Sequence, residues 1–162
     1  MERKRFGYPL AALLLVALIL RMPGLNESLW FDETYYSRVM LESPNWRHYV
    51  FHDVHPPLYP LLMKLWNLGL GESEIRLRLP SLMAGLLSVA ICYRLGLQWF
   101  GREVGCLSAL LLAMAPAHIW YSQENKANML MLTLCSAVLG LAYQVYQNSA
   151  PRTWLALGLC SV

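Results

Sequence analysis

Four apolar blocks constrain this chain more than anything else in it. They lie at about residues 7–22, 79–97, 104–120 and 128–146 and hold only two charged side chains, Arg21 and Arg94, between them. At a rise of ~1.5 Å per helical residue, blocks of this length approach the ~30 Å of a bilayer's hydrocarbon core. Backbone groups in hydrocarbon have no water to bond, so a helix that satisfies them internally is the expected form. Charged residues make up 14% of the sequence, against about a quarter in an ordinary soluble domain. The expected fold class is therefore all-α, a polytopic transmembrane bundle. The net charge of +3 comes from basic residues at block edges rather than from a continuous stripe, so no nucleic-acid partner is expected.

The edges give a topology. Arg3, Lys4 and Arg5 precede the first block and hold the N-terminus in the cytoplasm. That block ends in Arg21-Met22-Pro23-Gly24 without a small-x-small cleavage site, so it reads as an uncleaved first span. Residues 23–78 then form an exterior loop. Within it, residues 58–70 (LYPLLMKLWNLGL) would make a helix of ~20 Å, too short to cross, and are expected to lie along the membrane surface. Residues 100–103 and 148–152 fall on the cytoplasmic side, and the polar run 121–126 returns to the exterior. A segment starting at 153 begins like a further span and stops short, which points to the front part of a longer protein. The four cysteines all sit in apolar segments without a CxxC pair and read as packing residues.

Residues with chemistry gather in the loops assigned to the exterior. Asp32 and Glu33 follow Trp30 and Phe31 just after the first span. A carboxylate among interfacial aromatics is partly desolvated and suited to act as a base; the pair would equally suit a helix N-terminus. His52, Asp53 and His55 offer metal-ligand atoms, but Pro56-Pro57 imposes extended backbone at His55, which favours a structural or substrate-positioning role. Arg76 and Arg78 could clasp a phosphate or snorkel to lipid headgroups. Tyr121 to Lys126 could contact substrate or cap two helices.

Taken in order, these pieces resemble one family. Leu29-Trp30-Phe31-Asp32-Glu33, His55-Pro56-Pro57-Leu58-Tyr59, Arg76-Leu77-Arg78-Leu79-Pro80-Ser81, Phe100-Gly101-Arg102 and Ala115-Pro116-Ala117-His118-Ile119-Trp120-Tyr121-Ser122-Gln123-Glu124 together are similar to the polyprenyl-phosphate-sugar-dependent membrane glycosyltransferases of the C-type fold. That group includes protein O-mannosyltransferases and aminoarabinose transferases. The resemblance implies transfer of a sugar from a polyprenyl-phosphate donor to a protein, lipid or glycan acceptor at the exterior face of a bacterial or archaeal plasma membrane. It implies Asp32 as general base, with Glu33 orienting the acceptor or a cation. Arg76, Arg78 and Lys126 would meet the donor phosphate, and His55, Tyr59, Gln123 and Glu124 would position substrate. A divalent metal is left open, since no complete ligand set can be identified. Two other functions compete: a transporter fragment, for which mid-bilayer charges would be expected, and a non-catalytic scaffold that binds polyprenyl lipids.

Overall fold

The computed structural model describes residues 3–35, 37, 43–45, 47–48, 51, 57–70, 73–147, 154 and 158. Among these residues every regular element is a helix: α1 (Arg3–Arg21), α2 (Phe31–Thr34), α3 (Leu58–Leu70), α4 (Glu74–Phe100), α5 (Arg102–Met114), α6 (Pro116–Ser122) and α7 (Asn128–Gln147). The all-α bundle expected from the apolar blocks is the observed architecture. The segments 52–56 and 159–162, with His52, Asp53, His55 and Cys160, lie outside the described residues, as does most of the run from 153.

The central element is α4, which packs against α1, α5, α6 and α7, with α3 against its N-terminal part. It begins at Glu74, earlier than the expected span at 79–97, because Ser73 supplies an N-cap: its Oγ accepts from the Arg76 backbone N–H at 3.4 Å. Pro80 therefore lies well inside the helix rather than in its first turn. A proline has no N–H for the carbonyl four residues back, here that of Arg76. The Trp66 indole Nε1–H of α3 donates to that carbonyl at 2.9 Å, which both satisfies the orphan and ties α3 to α4.

Both α4 and α7 are long and apolar enough to cross a membrane; α5 and α6 qualify only as a pair, bent by 64°, and the apolar stretch Tyr8–Arg21 of α1 is shorter. The sequence reading expected one continuous span over 104–120. The break falls at Ala115, held extended at φ −65°, ψ 120°, since the ring of Pro116 disfavours the α conformation in the residue before it.

Arg21 closes this break. Its side chain is fully buried at the end of α1, and no carboxylate pairs with it among the described residues. Nη1 donates to Ala17 O at 2.7 Å and Ala113 O at 3.1 Å, Nε donates to Ser122 Oγ at 3.1 Å, and Nη2 donates to His118 Nδ1 at 2.6 Å. The two carbonyls belong to the C-terminal turns of α1 and α5, whose partial negative charge offsets the cation. A guanidinium only donates, so His118 Nδ1 must accept. His118 is thus the neutral Nε2–H tautomer, donating to Ser88 Oγ at 2.7 Å, and Ser88 in turn donates to Gly85 O at 2.8 Å. One chain of polar contacts joins α1, α4, α5 and α6.

The α4–α5 hairpin is held by direct backbone contact across the turn at Gly101. A Cβ on Gly96 would lie 2.8 Å from Gly105 Cα, and a Cβ on Gly105 would lie 2.8 Å from the Leu97 nitrogen and 2.9 Å from Tyr93 O. Close backbone approach of this kind is how small residues join helices where lipid removes the hydrophobic drive. Thr133 Oγ1 on α7 adds a polar link, at 2.9 Å from Ala84 O of α4. Replacing Gly105 with alanine is expected to lower stability by about 1–3 kcal/mol, because the obstructing atoms are backbone. Thermal unfolding in detergent checks this, and an unchanged midpoint would remove the contact from the account.

Candidate active site

One end of the bundle gathers the loop after α1, helix α2, the start of α4 and the α6–α7 loop. The element that organises it is Arg78. Its side chain is 4% exposed, and that of its partner Glu33 is 0% exposed. Arg78 Nε donates to Glu33 Oε1 at 2.9 Å and Nη2 donates to Glu33 Oε2 at 2.6 Å, a bidentate pair. The same guanidinium donates through Nη1 to the carbonyls of Gly24, Leu25 and Glu27, at 3.0, 3.2 and 2.7 Å, and through Nη2 to Ser28 O at 3.4 Å. Five N–H groups thus serve six acceptors. An arginine so committed has no donor left over for a phosphate, and its work is to fold the 24–28 loop under α2.

Glu33 is equally committed. Besides Arg78 it accepts from the Asn125 backbone N–H at 2.6 Å and, more weakly, from the Trp30 N–H at 3.4 Å. Asn125 is fully buried; its Nδ2 donates to Ser37 Oγ at 3.0 Å and its Oδ1 accepts from Tyr59 Oη at 2.8 Å. Tyr59 is itself buried, so it holds Asn125 rather than lining an open surface. In this way α2, α3, α4 and the 123–127 loop are cross-bonded around one carboxylate.

Asp32 takes the other direction from its neighbour, as side chains about 100° apart on a helix must. It is 46% exposed and pairs with Lys126 Nζ at 2.7 Å. Lys126 also sits over the Trp30 ring, 4.2 Å from its centroid. This pair, unlike the one beneath it, is open to an incoming molecule.

Beside it lies a cleft of about 470 Å³, lined among others by Trp30, Glu33, Arg78, Trp120, Gln123 and Glu124. This is within the range of small-molecule sites, and the mix of aromatic faces with a few polar groups is typical of them. Gln123 donates from Nε2 to Arg21 O at 3.0 Å, which ties the cleft wall to the network below. Glu124 is 5% exposed, and its Oε1 accepts from Trp120 Nε1 at 2.7 Å. Burial pushes the Glu124 carboxyl above the usual carboxylate range, with the Asp32 and Glu33 charges adding to the rise and the Trp120 hydrogen bond and Lys126 opposing it.

Of the residues singled out from sequence, Asp32, Glu33, Arg78, Lys126, Tyr59, Gln123 and Glu124 converge at this end. Arg76 is exposed and is not among the residues lining the cleft, so the two arginines do not form one clasp; two positions apart on a helix, they face different ways. His55 lies outside the described residues. Among the described residues no group of three or more His, Cys, Asp or Glu could hold a metal. Sequence reasoning passed over Arg21 as a binding or structural element and gave Asn125 no role of its own. An arginine closing an apolar block and a histidine, His118, inside another were the available signals, since ionisable groups at membrane depth are costly unless bonded.

Residues 54–161, two thirds of the chain, match the dolichyl-phosphate-mannose-protein mannosyltransferase family. The chain belongs to that family. It is therefore an integral membrane protein of glycosyltransferase type, as the ordered motifs implied. No curated protein matches the chain, and no solved structure matches it. The matched region begins after Asp32 and Glu33, so their place in the site rests on the contacts described above.

Removing either member of the buried pair, as in Arg78→Met or Glu33→Leu, leaves the other charge stranded and is expected to cost about 3–5 kcal/mol. The double variant should lose less than the sum of the two. Denaturation of purified protein in detergent measures the cycle; strict additivity would show that the pair is not the organising contact.

Proposed function

We propose that the protein transfers a sugar from a polyprenyl-phosphate donor to an acceptor hydroxyl or amine at the exterior face of the membrane, with Asp32 as the general base. The observation that carries this reading is the half-exposed Asp32, paired with a Lys126 that lies over the ring of Trp30, a residue lining the same cleft as the saturated Glu33–Arg78 pair. The family's description names a lipid-phosphate mannose donor and a protein acceptor; the acceptor here is a protein, lipid or glycan.

The reaction needs three things of the chain. A cation must meet the phosphate as its negative charge grows when the anomeric C–O bond breaks. Lys126, which meets Asp32 and lies over the Trp30 ring that lines the cleft, would supply it in place of Arg78, whose donors are all occupied. A base must take the proton of the acceptor as its oxygen or nitrogen bonds to the anomeric carbon. Asp32 does so once a phosphate oxygen has replaced its carboxylate at Lys126 Nζ. The products are the glycosylated acceptor and the polyprenyl phosphate anion, a leaving group stable enough to depart without an acid. Finally, both groups must be held in register, which is the work of Glu33, Arg78 and Asn125. Membrane embedding follows from a donor whose tail stays in the bilayer lipid.

Asp32→Asn is expected to lower transfer about 10²–10⁴-fold while leaving donor binding intact, and Lys126→Met to weaken donor binding. Transfer from labelled polyprenyl-phosphate sugars in nanodiscs tests both. A scaffold would be indifferent to Asp32→Asn, so full transfer by that variant overturns the assignment of the base.

A further inference from the structure

One polar group in the cleft is left over by this mechanism. Glu124 lies on the cleft wall, nine-tenths buried, with Oε1 bonded to the Trp120 indole, while its Oε2 is buried and has no hydrogen-bond partner among the described residues. An unmet buried carboxyl oxygen is costly, and folding tolerates it most readily where a ligand completes the bond. The cleft that Glu124 lines is also lined by Trp30 and Trp120, 45% and 61% exposed. Flat apolar faces beside one hydrogen-bonding group suit a hexose or pentose ring, whose C–H face is apolar and whose rim carries hydroxyls.

We propose that Glu124 binds a hydroxyl of the sugar being transferred, and that the cleft between Trp30 and Trp120 is the subsite for that sugar. The proposal rests on the donor reading above and adds the residue that recognises the ring. Its geometry follows from the sequence: Glu124 stands two residues before Lys126 on one short loop, so the sugar falls beside Glu124 when its phosphate meets Lys126 Nζ. Oε2 can accept from a sugar hydroxyl while Oε1 keeps its bond to Trp120. The charged groups that face this region are Lys126 on the same loop, Asp32 and Glu33 on α2, Glu27 in the preceding loop and Arg78 on α4. Glu33 and Arg78 neutralise one another, and Asp32 is paired with Lys126. Burial therefore dominates and raises the pKa of the Glu124 carboxyl.

The test compares two lipids with the full chain in nanodiscs: a short-chain polyprenyl-phosphate mannose, and the same polyprenyl phosphate without sugar. Glu124→Ala should weaken binding of the sugar-bearing lipid about tenfold, the scale of one lost hydrogen bond, and leave the bare phosphate lipid unaffected. Glu124→Gln, which keeps an acceptor oxygen in the same place, should bind the sugar-bearing lipid more tightly than Glu124→Ala does. Equal weakening of both lipids by Glu124→Ala would assign Glu124 a structural role and overturn the proposal. So would Glu124→Gln binding as weakly as Glu124→Ala. If the wild type binds neither lipid, the donor reading itself falls, and the subsite with it; if it binds both and the variants do not split them, only the sugar-binding role of Glu124 falls.

Discussion

The bidentate contact between Arg78 and Glu33 is the interaction on which the rest of this site depends. A lone charge in so dry a place would be costly. Together they neutralise one another, and their remaining donors and acceptors reach outward: Arg78 to four loop carbonyls, Glu33 to the Asn125 N–H. A buried ion pair is seldom a strong source of net stability. Its effect here is specificity of arrangement, since only one placement of the 24–28 loop, α2 and the 123–127 loop satisfies every partner.

That arrangement makes two adjacent carboxylates unequal. Glu33 faces inward and is used up in structure; Asp32 faces outward and meets Lys126 in a contact that a ligand can reach. The division follows from helical geometry, and it explains how one dipeptide can supply both a buried scaffold contact and an accessible carboxylate. Lower in the bundle, Arg21 repeats the scaffold role with backbone carbonyls in place of a carboxylate. It lies at the break before Pro116, and through Gln123 its helix end touches the cleft wall. The bent α5–α6 pair thus turns α6 so that Trp120, Gln123 and Glu124 reach the same end of the molecule as α2.

Much of the fold was legible in the residues. The apolar blocks gave the helices α4 and α7, and the shortness of LYPLLMKLWNLGL gave α3 with the observed bounds, Leu58–Leu70. The ordered motifs gave the family. The break at Ala115 was signalled by Pro116, but it was outweighed by the unbroken apolarity of 104–120, because hydropathy is blind to backbone geometry. Pro80 misled in the other direction: proline inside a helix is costly unless something takes the orphaned carbonyl, and the Trp66 indole that does so comes from another element.

The sequence by itself determined that this chain forms apolar helices and that its ionisable groups cluster between them, because hydropathy and charge are properties of residues taken a few at a time. Which of those groups are available for chemistry was decided only by tertiary structure. Arg76 and Arg78 look alike on paper, as do Asp32 and Glu33. What separates them is how many partners burial forces each to find, and those partners come from segments as far as 94 residues away in the chain.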